Sequence, residues 1–184
     1  MSLQEIKIGG LGGQGVILAG IIIGKAAALH DGKHSTLTQA FGPEARGSAC
    51  SAQVVIDDTP ILYPYVTRPH YLVTMSQDAC VKFGPELRED GVLIIDEDLV
   101  KPACAPKGVQ VYGIPATRFA EELGRKQVLN IIMVGFFTAV TGLVSEQAAR
   151  KSVADSVPPS TVELNLRAFE RGFKHGQQLR ASRA

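Results

Sequence analysis

The residues best placed to do chemistry stand near the start of the chain, where Ile6-Lys7-Ile8 leads through Gly9-Gly10-Leu11-Gly12-Gly13-Gln14-Gly15 into an apolar stretch from Val16. Gly10, Gly12 and Gly15 fit G-x-G-x-x-G, the spacing of a tight strand-to-helix turn whose backbone can approach a ligand closely. A helix begun this way aims unpaired N–H groups and the positive end of its dipole at whatever lies above the turn. The chemistry on offer is therefore anion binding, to a phosphate or a carboxylate. The same glycines equally suit a turn kept for packing, with an anion as an optional guest. A dinucleotide site would need an acidic residue about 20 positions further on to accept the ribose hydroxyls. The next predicted strand, near His34-Ser35-Thr36-Leu37, has no Asp or Glu at its carboxyl end, and Asp31 precedes it in a loop.

A second candidate stretch runs from Thr38 to Ser51. It has neither helical nor strand period and is dense in glycine, proline and small hydroxyl residues, so it is predicted as a structured loop. Within it Gly42-Pro43 fixes the backbone entering Glu44 and Arg46, which are close enough to pair. A solvated surface loop is the plainer alternative.

No catalytic residue and no metal site is predicted. His30, His34, His70 and His175 are scattered, with no helical spacing to a carboxylate or to a second histidine. There is no G-x-S-x-G, and Gly15 is followed by Val16, where a P-loop would place lysine. Cys50, Cys80 and Cys104 form no C-x-x-C pair and are expected as reduced thiols in a cytoplasmic protein. The 19 basic residues balance the 18 acidic ones, leaving no field to gather nucleic acid or a membrane surface.

The elements that must position the turn follow in order. The 184 residues carry no Pro- or Ser-rich linker, so a single domain over 1–184 is expected, with residues 1–4 as an appended or disordered start. Gln14 to Leu29 reads as a helix enclosed between a sheet and another layer, with Gly20 and Gly24 forming a small face for close packing. Gln53 to Asp57 reads as a strand that could pair with a short edge segment at Thr59 to Pro64 as a hairpin. Strands at His70–Met75, Gly91–Asp96 and Val109–Tyr112 alternate with a helix from Gln77 toward Leu87, interrupted by Pro85, and one from Ala116 to Gly124. This rhythm predicts an α/β, three-layer Rossmann-like domain, with a mostly parallel sheet and helices on both faces. Asn130 to Val140 is apolar on every side, and is either a core helix or one that docks on another polypeptide. Ser145 opens a short helix. Ser160 and Glu163 are spaced as the capping box of the last one, whose outer side carries Arg167, Arg171, Lys174 and Arg180.

Taken together, Gly10-Leu11-Gly12-Gly13-Gln14-Gly15-Val16, then Phe41-Gly42-Pro43-Glu44-Ala45-Arg46-Gly47-Ser48, then Gln77-Asp78-Ala79, then Asn130 before an apolar helix with Gly135, resemble the gamma subunit of 2-oxoacid:ferredoxin oxidoreductases. The resemblance spans roughly residues 5 to 175 and is nearest the 2-oxoglutarate-using type. It departs at Ser48, where the family often has a second glycine after the arginine.

The resemblance implies a subunit of a complex that oxidatively decarboxylates a 2-oxoacid, joins the acyl group to coenzyme A and reduces ferredoxin. Thiamine diphosphate with Mg2+ and the iron–sulfur clusters would belong to alpha, beta or delta subunits, and the isolated chain would be inactive and prone to self-association. It implies that Gly10, Gly12, Gly13, Gln14 and Gly15 face a partner or the coenzyme A phosphates. Thr38, Phe41, Gly42, Pro43, Glu44 and Arg46 would border the coenzyme A channel and the other subunits. The rival from the residues alone is a free-standing nucleotide-binding oxidoreductase using the turn as a dinucleotide site, and a ligand-free structural dimer stands behind it.

Overall fold

A computed structural model describes residues 3–41 and 49–183. Its centre is β1 (Gln4–Leu11), whose alternation sends Ile6 and Ile8 to one face of a six-stranded sheet and Glu5, Lys7 and Gly9 to the other. The strand order is β2-β3-β1-β4-β5-β6, with β2 at His34–Ala40, β3 at Ala49–Asp57, β4 at Tyr71–Thr74, β5 at Val92–Asp96 and β6 at Gln110–Ile114. From β1 to β6 the four strands run parallel. On the other side β3 pairs antiparallel with β1, from Gln4↔Ile56 to Leu11↔Ala49, and β2 pairs antiparallel with β3.

Five helices cover the Ile6–Ile8 face: α1 (Val16–Lys25), α3 (Ala116–Glu122), α4 (Leu129–Thr141), α5 (Glu146–Ala154) and α6 (Val162–Ala181). One helix, α2 (Gln77–Phe83), covers part of the Lys7 face. Helices do lie on both faces, but very unequally.

The first helix is shorter than its apolar run, because after Lys25 it widens into a π-type turn, Ala26–His30, that leaves Leu29 exposed. Gly20 does give close packing, since a Cβ there would stand 2.7 Å from that of Ala52 on β3. The apolar helix predicted at 130–140 is a core helix: in α4 every residue from Leu129 to Ala139 is buried. It crosses α6 at backbone contact, so that side chains on Gly135 and Gly172 would run into the carbonyls of Phe169 and Ile132.

The structure corrects several expectations. Thr38 to Ser51 is not one loop, for Thr38, Gln39 and Ala40 complete β2 and Ala49, Cys50 and Ser51 open β3; residues 42–48 lie outside the described residues. The hairpin partner of β3 is β2, not Thr59 to Pro64. Pro60 and Pro64 have no N–H for a ladder, and the irregular stretch 58–70 is tied across the Lys7 face by side chains instead. The Gln53 carboxamide oxygen accepts from the Val66 N–H at 3.1 Å, and the buried Glu5 carboxylate accepts from the Thr67 and Arg68 amides at 2.8 and 3.4 Å. Ser145 caps α5 through the Ala148 N–H at 3.1 Å. The Ser160–Glu163 box does not form, because Thr161 N–H closes a turn onto the Pro158 carbonyl and α6 starts one residue later.

Cys80 and Cys104, expected as separate thiols, are joined as a disulfide, their Cα atoms 5.7 Å apart. Their separation of 24 positions hid the pairing, because the chain runs through β5 before it returns to α2. Cys50 remains a free, buried thiol, its pKa raised by burial.

Candidate functional site

The glycine turn sits at the carboxyl end of β1, where an open α/β sheet places its ligands. Gly13 at φ 99° and Gly15 at φ 73° both adopt left-handed backbone, so each needs glycine. Gly15 has a second reason. A Cβ on it would collide with the Asn130 amide at the start of α4, which donates to the Gly15 carbonyl at 3.2 Å. Gly10 lies in β1, with room taken by Gln14 and Val16, and Gly12 opens the turn.

Gln14 is committed within the chain. Its side-chain oxygen accepts from the Leu11 N–H at 2.7 Å and its side-chain amide donates to the Met75 carbonyl at 2.8 Å, linking the ends of β1 and β4. The turn then delivers α1 with Gly15 as N-cap, no side-chain cap and no acidic residue in its first turn. Its leading amides and dipole are left for something outside the helix.

Beside the turn opens a cleft of about 330 Å³, lined by Gly13 and Gln14, by Leu99 after β5, by Thr117 and Ala120 of α3, and by Lys126, Gln127 and Leu129 before and at the start of α4. Lys126, at the rim, pairs with Glu121 at 3.0 Å and stays largely exposed. Asp96, fully buried at the end of β5, accepts from the Thr117 hydroxyl at 2.6 Å and from the Asp98 N–H at 3.2 Å. Burial pushes its carboxyl pKa up against those hydrogen bonds. Asp98 in turn pairs with Arg118 at 2.7 Å, so both carboxylates fasten the β5 loop to α3.

Of the residues singled out in the sequence, the turn glycines and Gln14 are together, and Asn130 joins them. Thr38 and Phe41 are not in the cleft. Thr38 lies in β2 and Phe41 directly follows it, and β2 is two strands from β1 on its far side, about 10 Å away at sheet spacing. The Thr38 hydroxyl is buried with no partner among the described residues, and Phe41 is exposed. Gly42, Pro43, Glu44 and Arg46 lie outside the described residues. The sequence did not point to Asp96, Thr117 or Lys126; the only signal was an Asp at the carboxyl end of a buried strand. Gln77 has a structural use as well, its side chain bonding the Lys101 N–H at 2.8 Å and the Lys101 carbonyl at 3.4 Å.

The dinucleotide alternative is not favoured by this topology. In a βαβ nucleotide site the strand after the first helix lies parallel beside β1, and its end supplies the acidic residue. Here β3 occupies that place in antiparallel sense, β2 is one strand further out, and it ends in Gln39-Ala40.

A glycine turn at the carboxyl end of a central strand, on a sheet with an antiparallel pair at one edge, defines an α/β domain with its cleft at the strand ends. The family model for pyruvate ferredoxin/flavodoxin oxidoreductase matches residues 5–175, and the chain belongs to that family. It is 47% identical over 178 residues to the 2-oxoglutarate synthase subunit KorC of Methanocaldococcus jannaschii, covering 96% of this chain and 95% of that one. To the pyruvate synthase subunit PorC of Methanothermobacter thermautotrophicus it is 34% identical over 182 residues, covering 97% and 98%. The crystal structure of the keto/oxoacid ferredoxin oxidoreductase gamma subunit from Geobacter sulfurreducens superposes with a TM-score of 0.83 at 40% identity, over 94% of this chain and 98% of that one. The chain is thus a gamma-type subunit of a 2-oxoacid:ferredoxin oxidoreductase, more similar to the 2-oxoglutarate subunit than to the pyruvate one, and other subunits of that enzyme are its partners. Among the described residues no helix is long and apolar enough to cross a membrane.

Proposed function

We propose that this chain, as one domain over residues 1–184, serves a cytoplasmic enzyme that converts 2-oxoglutarate and coenzyme A to succinyl-CoA and CO2 while reducing ferredoxin. Its own part is assembly and the binding of coenzyme A phosphates. The observation that carries this is the uncapped amino end of α1, set by Gly13 and Gly15 beside the cleft with no acid in its first turn. Lys126 at the rim adds a cation on the same side. Gly10, Gly12 and Gln14 hold this turn, and Thr38, Phe41, Gly42, Pro43, Glu44 and Arg46 belong to the second contact region, bordering the partner chains.

The cofactors of the reaction, thiamine diphosphate with Mg2+ and the iron–sulfur clusters, are assigned to the alpha, beta and delta subunits. The donor set of this chain does not fit a cluster: two cysteines are tied to each other, the third is buried alone, and no group of three metal-ligating side chains stands together among the described residues. Assembly is supported by the surface, where Leu62, Tyr63, Tyr65, Phe41 and Leu29 are exposed around the open edge strand β2.

The test is affinity isolation of the tagged chain from its own cells under anoxic conditions, followed by 2-oxoacid- and coenzyme-A-dependent dye reduction. The expected result is co-purification of thiamine- and iron–sulfur-binding subunits with activity on 2-oxoglutarate above pyruvate. A chain that comes down alone and is stabilised by NAD(P) would overturn the proposal.

A further inference from the structure

The crossover from β5 to β6 spans residues 97–109 without an α-helix, although parallel neighbours are usually joined through one. It is held to α2 at three points. Val100 is buried in the small apolar cluster with Phe83, Leu87 and Leu93. The Gln77 side chain brackets the Lys101 backbone from both sides. Beyond that, the turn Pro102–Cys104 is fixed by the bond to Cys80, with the Cys104 carbonyl against Gly84 so closely that a side chain there would collide.

The two sulfurs differ in access. Cys80 is fully buried in α2, while Cys104 is half-buried under a turn whose Lys101, Pro102 and Ala103 are exposed, as are Lys107 and Gly108 beyond it. The same crossover includes Leu99, which lines the cleft together with Gly13.

We propose that Cys80 and Cys104 form a reversible dithiol–disulfide site that takes a small or protein-borne dithiol as its reductant, and that the bond pins the β5–β6 crossover, and with it the Leu99 wall, to α2. A thiolate of the dithiol attacks the accessible Cys104 sulfur, the Cys80–Cys104 bond breaks, and Cys80 leaves as a thiolate that takes a proton from water. The second thiol of the reductant loses its proton and attacks the mixed disulfide, releasing Cys104, which is protonated in turn. Two electrons pass to the protein, and the reductant departs as its own disulfide. Cys50 takes no part, being buried and without a partner cysteine.

The experiment uses the purified full-length chain in mixtures of reduced and oxidised dithiothreitol. Thiols are counted by alkylation under denaturing conditions and mass measurement, and tryptic cleavage after Lys107 is timed on the same samples. Cys80 and Cys104 are expected to titrate together as a two-electron pair, leaving Cys50 as the one alkylated cysteine in the oxidised form. Cleavage after Lys107 is expected to be several-fold faster in the reduced form, and Cys104→Ser to be cleaved at that faster rate at every ratio. Three free thiols throughout, or equal cleavage of the two redox forms of the unaltered chain, would overturn the proposal. Both readouts are taken on the isolated chain, so they stand apart from the assembly and coenzyme A assignments.

Discussion

On one face of the sheet five helices bury Phe136, Phe137 and Phe169 completely; on the other, one seven-residue helix, a disulfide and the irregular stretch 58–70 cover strands that carry Glu5, Lys7, Gln53 and Thr74. The first face is held by transfer of apolar surface from water, at about 25 cal/mol per Å². The second has only a smaller apolar cluster around Leu72, Phe83, Leu87 and Leu93, and adds polar anchors to it. The Lys7 ammonium bonds the Glu86 carboxylate and lies 4.5 Å above the Phe83 ring, and Glu5 receives the Thr67 and Arg68 amides. The contrast teaches that the two sides of one sheet can be held by different means, and the sparsely covered side also borders the exposed Leu62, Tyr63 and Tyr65.

Breaking the five-helix face should have the largest effect. Phe136→Ala empties a fully buried site at the α4–α6 crossing and is expected to cost about 4 kcal/mol, read from the urea midpoint of the isolated chain. A loss below about 1 kcal/mol would show that this face is not the main store of stability.

A smaller, pH-dependent effect belongs to the other face. The Glu5 N–H donates to His70 Nδ1 at 3.0 Å and Arg88 stands 2.9 Å from Nε2, so burial first and the guanidinium second hold the His70 pKa below its usual value, against the pull of Glu5 and Asp90. The folded state therefore binds fewer protons than the unfolded one. The contribution is fully present above about pH 6.5, and is lost as pH falls toward the lowered folded value, with a slope of at most about 1.4 kcal/mol per pH unit. Urea titrations between pH 7.5 and about 5 should show this fall, and His70→Gln should flatten it. An identical slope in the variant would remove His70 from the account.

The smallest effect on the isolated chain is expected from Leu62→Ser combined with Tyr63→Ser, within about 0.5 kcal/mol of the parent because both residues are already in water. The same variant should recover less of the partner subunits in affinity isolation. Marked destabilisation without loss of partners would place the two residues in the fold rather than in the interface.

Much of this architecture was legible in the sequence. Short apolar runs bounded by turns announced β4, β5 and β6, Pro115 and Gly124 bracketed α3, and the glycine spacing located the turn at the end of β1. The insertion of β3 between β1 and β2 was not legible, because it depends on long-range register and not on any local period. The apolar helix α4 looked alike as core or interface, and its burial from Leu129 to Ala139 with the glycine contacts to α6 decided it. The cleft was hidden for a similar reason: Leu99, Thr117, Lys126 and Leu129 come from a crossover, two helices and a linker that share no motif. The Cys80–Cys104 link likewise joins elements that are neighbours only in space.

Gln14 carries a consequence for association. Its two side-chain hydrogen bonds already fix the turn to the ends of β1 and β4, and Asn130 fastens the Gly15 carbonyl from the other side. The conformational entropy of ordering these glycines is therefore lost during folding and not when a ligand or subunit arrives. A turn held this rigidly favours any docking there proceeding without backbone rearrangement.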